Sequence, residues 1–101
     1  MVKISNMSKV FLFVDVDIKD GQRAVFLEKL KEHAKRAVNE PGCEALDIYE
    51  NSENPNSVCI WEVWSTRADW DLHMTCDNTM TWRTVAAPHI NGEVITVMSP
   101  A

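Results

Sequence analysis

The chain has 101 residues, 46% hydrophobic and 25% charged, which suits one domain with one core and excludes both a two-domain protein and a disordered one. A formal net charge of −5 excludes the basic footprint that nucleic acid demands. No run approaches the roughly 18 apolar residues of a membrane span, and Cys43, Cys59 and Cys76 form no C-x-x-C pair or disulfide framework, so a reducing, cytoplasmic setting is expected.

Residues 1 to 9 lack periodicity and an apolar run, so they are read as a flexible N-terminus and not a signal peptide, and Met7 offers a second start. A single domain is expected over residues 10–99. From Val10 to Ile18 the chain alternates: Val10, Leu12, Val14, Val16 and Ile18 share one face, and Phe11, Phe13, Asp15 and Asp17 the other. That pattern is a strand with one apolar and one mixed side. Asp20-Gly21 opens a helix with Asp20 as N-cap. Val25, Phe26, Leu30, Ala34, Ala37 and Val38 keep helical spacing up to Asn39 or Glu40, where Pro41-Gly42 ends it. Lys29, Lys31, Lys35 and Arg36 are interleaved with Glu28 and Glu32, the pattern of a solvated helix surface.

Residues Ala45 to Glu50 and Ser57 to Trp64 read as strands joined by an Asn- and Ser-rich turn, hence an antiparallel hairpin. Ser65 or Thr66 caps the next helix, with Asp69 placed for a capping box, and that helix runs to about Cys76. Asp77 caps a further helix reaching about Ala87 before Pro88. Asn91-Gly92 is a turn, and Gly92 to Ser99 a last strand.

The order β-α-β-β-α-α-β fits the α+β, ferredoxin-like split β-α-β plan: a four-stranded antiparallel sheet with helices on one face. The uncovered face, with Phe11 and Phe13, meets water at a cost near 25 cal/mol per Å² unless a second copy covers it, which predicts a homodimer.

Trp61-Glu62-Val63-Trp64-Ser65, with His73 nine residues beyond Trp64, resembles the E-x-W-x-S … H signature of the antibiotic biosynthesis monooxygenase domain. Glu40-Pro41-Gly42-Cys43 resembles that family's E-x-G-C junction, and Gly21-Gln22 with Phe26 its first-helix entry. The similarity covers residues 10 to 99. It implies a dimeric α/β barrel with a pocket between helices and sheet in each subunit. Activities in the family include cofactor-free oxygenation of quinols and anthrones, haem degradation, and isomerisation of a phosphorylated sugar. Carried onto this chain, the pocket is lined by Leu12, Val14, Val16, Trp64, His73 and Trp82, with Asn78 and Arg83 at its mouth.

A metal- and flavin-free oxygenase needs a base to make its substrate electron-rich and a dry, aromatic-walled cavity to hold it. The resemblance implies no cofactor, a small hydroxylated aromatic or quinol with O₂ as partners, and His73 and Glu62 as catalytic candidates. The alternatives are an isomerase or tautomerase of a small oxygenated metabolite and a non-catalytic dimeric ligand-binding module.

Each residue has a second reading. His73 is otherwise a packed or surface histidine. Asp69, four residues earlier, either orients the imidazole or caps the helix. Trp61 and Trp64 point to opposite sides of one strand, so at most one lines the pocket. Trp82 is otherwise core. Glu62 is either a buried acid with a raised pKa or an ion-pair partner for Arg67 or Arg83. Asp69, His73 and Cys76 can lie along one stripe, but zinc wants four ligands and His33 and His89 lie on distant elements, so no metal is expected. Three glycines, each at a turn, leave no nucleotide-binding loop. Positions matching the haem-degrading branch carry Val14, His73 and Arg83 in place of its asparagine, tryptophan and histidine, which disfavours haem. Where many members have a second histidine, this chain has Asn78.

Overall fold

Strand β1, Val10–Ile18, sits at the centre of a four-stranded antiparallel sheet of order β2-β3-β1-β4. In this computed structural model residues 8–101 are described, so most of the expected N-terminal segment, Met7 included, lies outside the described residues. The remaining elements are α1 (Arg23–Ala37), β2 (Cys43–Glu50), β3 (Ser57–Trp64), α2 (Arg67–Thr75), α3 (Asp77–Ala86) and β4 (Ile90–Met98), with a short 3₁₀ turn at Ala87–His89. This is the ferredoxin-like α+β plan.

Alternation in β1 does what its pattern predicts. Val10, Leu12, Val14, Val16 and Ile18 are all buried under the helices. Phe26, Leu27 and Leu30 of α1 and Ala86 of α3 pack with Val14, Val16, Ile18, Val58 and Ile60 into the main core. A second, smaller cluster of Val10, Leu12 and Trp64, flanked by Cys43 and Trp70, lies under α2. Two separate clusters beneath one layer of helices leave a gap where they meet.

Four local expectations are corrected. Asp20 does not cap α1: Gly21 turns with a φ of +74°, the helix starts after Gln22, and Asp20 accepts a hydrogen bond from Asn56 instead. Along α1 the buried stripe is Phe26, Leu27, Leu30, His33 and Ala37, while Val38, just past the last turn, is exposed. Asp77 is the first residue of α3 and not its cap, a position held by Cys76. Asn91-Gly92 is strand, because Gly92 pairs with Asp17 across β1 and the irregularity falls between Asp17 and Ile18.

The β2–β3 connection is tied down by its own polar groups. Asn51 and Asn54 each accept a backbone N–H two residues on, and Arg23 donates to the carbonyls of both. On the far face of the sheet Phe11 and Trp61 rings meet at 6.1 Å, and Phe13, Tyr49, Val94 and Met98 are exposed. Lys29, Lys31, Lys35 and Arg36 are exposed as expected, with Lys35 paired to Glu32. No helix among the described residues is long and apolar enough to cross a membrane.

Candidate functional site

Helix α2 exists in its position because its first turn is pinned. Thr66 accepts the Asp69 backbone N–H at 3.1 Å and its hydroxyl donates to the Asp69 carboxylate at 3.0 Å, a closed capping pair. That carboxylate lies against Gly42, where a side chain would collide with it and where φ is +79°. The E-P-G-C junction is thus the seat on which α2 rests. Asp69 therefore caps, and does not orient the imidazole.

Pinned this way, the last turn of α2 lays His73 over Trp64, with rings stacked at 4.4 Å between centroids and 27° between planes. The imidazole's orienting partner is Glu40, in the turn after α1: His73 Nδ1 lies 2.6 Å from Glu40 Oε1, with both side chains largely buried. Glu40 is itself held. Asn78 donates to its Oε2 at 2.8 Å, and Arg36 donates to Asn78 at 3.2 Å. A carboxylate only accepts, so Nδ1 carries the proton of this bond, and in the neutral ring the lone pair sits on Nε2. Thr79 Oγ1 and Cys76 Sγ complete the surroundings, 3.3 Å from His73 Nδ1 and 3.5 Å from Glu40 Oε1.

Where the two core clusters meet there is a cavity of about 440 Å³. Leu12, Val14 and Val16 of β1, Ile60 and Glu62 of β3, and Leu46 of β2 form its sheet wall. From the helices come Phe26, Leu30, His33, His73, Trp82 and Arg83, and exposed Asn91 and Ile95 of β4 form part of its rim. The structure thus brings Leu12, Val14, Val16, Glu62, His73, Trp82 and Arg83 to one cavity. Trp64 and Asn78 lie outside its lining. Trp64 faces the helices but is wholly covered, serving as the plate beneath His73, and Asn78 on the first turn of α3 reaches back to Glu40. Trp61 lies on the opposite face of the sheet.

Glu62 is buried, and its carboxyl accepts the Trp64 indole N–H at 2.9 Å. Loss of water pushes its pKa above the usual carboxylate range, opposed by the Trp64 N–H and by His73. The ion-pair reading of Glu62 is corrected, since Arg67 pairs with Asp71 and lies over Trp70 while Arg83 touches Met80. Trp64 also links buried acid and imidazole, bonding one and stacking on the other.

His33 is a pocket residue that sequence reasoning missed. It is 5% exposed, stacks on Trp82 at 4.8 Å and 12°, and leaves Nδ1 without a hydrogen-bond partner. Burial, then the neighbouring His73, lower its pKa to about 4, so it stands in the cavity as a neutral imidazole. Its spacing from Phe26, Leu30 and Ala37 on the buried stripe of α1 is the signal that points to it. An oriented imidazole, a buried carboxyl and the stacked His33 and Trp82 rings thus line a largely apolar hollow, an arrangement with the chemistry to take a proton from a bound ring.

Comparison with known proteins bears on the family and the fold. The family profile described as Antibiotic biosynthesis monooxygenase matches residues 10–84. An uncharacterized protein of Synechocystis is 29% identical over 59 residues, which is 58% of this chain and 40% of that protein's length. Among solved structures, a candidate antibiotic biosynthesis monooxygenase of Nitrosomonas europaea superposes with a TM-score of 0.85 at 19% identity, covering 99% of this chain and 95% of that one. One of the same description from Caulobacter crescentus gives 0.87 at 15% identity, covering 97% and 94%. Rv0793 of Mycobacterium tuberculosis gives 0.83 at 19%, covering 93% and 96%. At these identities the structural likeness bears on the fold.

Proposed function

The chain belongs to the antibiotic biosynthesis monooxygenase family, and on that premise we propose that it is a cofactor-independent monooxygenase of a small hydroxylated aromatic or quinol. The observation that carries the reading is the His73–Glu40 contact at the end of an apolar cavity of about 440 Å³, room enough for a substrate of a few rings. Nε2 of His73 takes the phenolic proton, and Glu40 stabilises the imidazolium that forms. The resulting phenolate is electron-rich enough to react with O₂. A quinol and O₂ then give a hydroxyquinone and water, with the substrate supplying all four electrons and no metal or flavin called upon.

Leu12, Val14 and Val16 bound the ring on the sheet side and Trp82 on the helix side, while Arg83 at the rim attracts an anionic substituent. Glu62, whose pKa burial raises, serves as a proton source for the reduced oxygen. Residues 10–99 act as one domain, and a homodimer covers the sheet face bearing Phe13 and Val94. Unpaired Cys43, Cys59 and Cys76 support a cytoplasmic site of action.

Oxygen uptake with a panel of quinols tests the reading. Wild-type protein should consume O₂ with product formation, and His73→Ala should slow it roughly 10²- to 10⁴-fold. Equal rates would remove His73 from the mechanism, and turnover under strict anaerobiosis would assign an isomerase instead.

A further inference from the structure

Three donors of the kind that bind borderline divalent metals such as zinc converge at His73 Nδ1, the ring nitrogen other than Nε2. Glu40 Oε1, His73 Nδ1 and Cys76 Sγ all lie within 4.8 Å of one another, although they come from the turn after α1, the last turn of α2 and the α2–α3 junction. We propose that Glu40, His73 and Cys76 form a binding site for one zinc-class divalent ion, with Thr79 or a water at the fourth corner. This goes beyond the proposed oxygenation and stands whether or not the cavity is catalytic.

The distances fit such an ion. With metal–N and metal–O bonds of about 2.0–2.1 Å and a metal–S bond of about 2.3 Å, the corners of a tetrahedron lie roughly 3.3–3.6 Å apart. Cys76 Sγ is 3.5 Å from Glu40 Oε1 and 3.5 Å from Thr79 Oγ1, and Thr79 Oγ1 is 3.3 Å from His73 Nδ1. The 2.6 Å His73–Glu40 contact has to widen, as it must when an ion replaces the proton the two share, and the His73–Cys76 span, which lies within 4.8 Å, has to close toward the same edge length.

Charge and softness agree. One carboxylate and one thiolate neutralise a dication, and a thiolate–imidazole pair selects zinc or cobalt over magnesium and calcium. The carboxylate is also aimed beforehand: Asn78 occupies Oε2, Arg36 holds Asn78, and Oε1 is left for the ion. Sequence reasoning set a metal aside because Asp69, His73 and Cys76 fall one ligand short. Folding takes Asp69 away to Thr66 and brings Glu40 in from 33 residues upstream of His73. An ion here occupies Nδ1 and Glu40 together, so it breaks the contact that orients the imidazole.

Chelator-treated protein titrated with Co²⁺ tests the site. The expected result is one equivalent bound, with a thiolate-to-cobalt charge-transfer band in the near ultraviolet, intense visible bands of a four-coordinate ion, and displacement by Zn²⁺ but not Mg²⁺. Cys76→Ser should abolish the charge-transfer band, whereas Cys59→Ser, on the far face of the sheet, should keep it. Asn78→Ala should weaken affinity about 10- to 100-fold. Circular dichroism of each variant guards against misfolding. No thiolate band at one equivalent, a band that survives in Cys76→Ser, or equal competition by Mg²⁺ would overturn the proposal.

Discussion

Glu40 and His73 stand 33 residues apart in the chain and 2.6 Å apart in the fold, and the bond between them sets which imidazole nitrogen carries the proton. Replacing Glu40 by Gln keeps the shape but lets an amide N–H face Nδ1, which favours the opposite tautomer. Glu40→Gln should therefore lower kcat for oxygen uptake on the order of 10²-fold with little change in KM. An unaltered kcat would show that the contact does not serve the base.

Glu62 gives a pH dependence of stability of defined sign. Burial raises its pKa, against the Trp64 N–H and the neighbouring His73 and with Glu93 and Glu40 adding to the rise. The native protein thus keeps a proton that the unfolded chain has lost, and stability falls as pH climbs from the ordinary carboxylate range through the raised value. Glu62→Gln cannot titrate, so its urea-unfolding free energy should lack the fall with pH that Glu62 contributes and should exceed the wild-type value above that span. Parallel profiles for the two proteins would contradict a raised pKa.

His33 works in the opposite direction. With its pKa lowered from 6.5 to about 4 by burial and by His73 and Arg36, against Glu40, it is neutral in the fold where the unfolded chain binds a proton. Its contribution is complete above pH 6.5 and is lost as pH falls toward about 4. His33→Phe keeps a ring on Trp82 and removes both the titration and the unpaired Nδ1. Thermal unfolding between those limits should show a shallower acid limb in the variant, and an identical limb would rule His33 out as its source.

At Gly42 two penalties coincide. A Cβ there meets the Asp69 carboxylate, and the left-handed backbone costs about 1–2 kcal/mol for a side-chain-bearing residue. Adding loss of the Thr66–Asp69 cap, about 1 kcal/mol, Gly42→Ala should destabilise by about 2–3 kcal/mol in denaturant titration. In a Thr66→Ala background the increment should shrink, because the cap is already gone.

Phe13 probes the far side of the sheet. It is 39% exposed beside Phe11 and Trp61, and a charge there should cost little in a monomer and much against a second sheet. Sedimentation should give a dimer for the wild type and a monomer for Phe13→Glu. A monomeric wild type would refute the covered face.

Much of this was written into local pattern. The strict alternation of β1, the bounds of β3, the Thr66–Asp69 cap and the element order follow from side-chain period and capping chemistry alone. What escaped was set by pairing at a distance. Asn91-Gly92 has turn chemistry, yet registry with Asp17 makes it strand. Glu40 carries no local mark of its bond to His73, since only the docking of α2 on Gly42 brings them together. Strand alternation turns one of Trp61 and Trp64 inward without saying which, and whether an inward indole lines a hollow or is covered depends on what rests upon it, here the His73 ring. His33 was readable from its helical stripe, whereas its missing partner is a property of the assembled core.

Trp64 has one more consequence. An indole with no water contact, stacked on one titratable ring and bonded to a second buried group, emits light whose yield depends on both. Charge or displacement at the imidazole alters that yield directly, because excited indole hands its electron to a nearby cationic ring. The fold has thus set a fluorophore against the His73 ring, and in a variant that keeps Trp64 alone of the four tryptophans its emission can report in real time on what happens there.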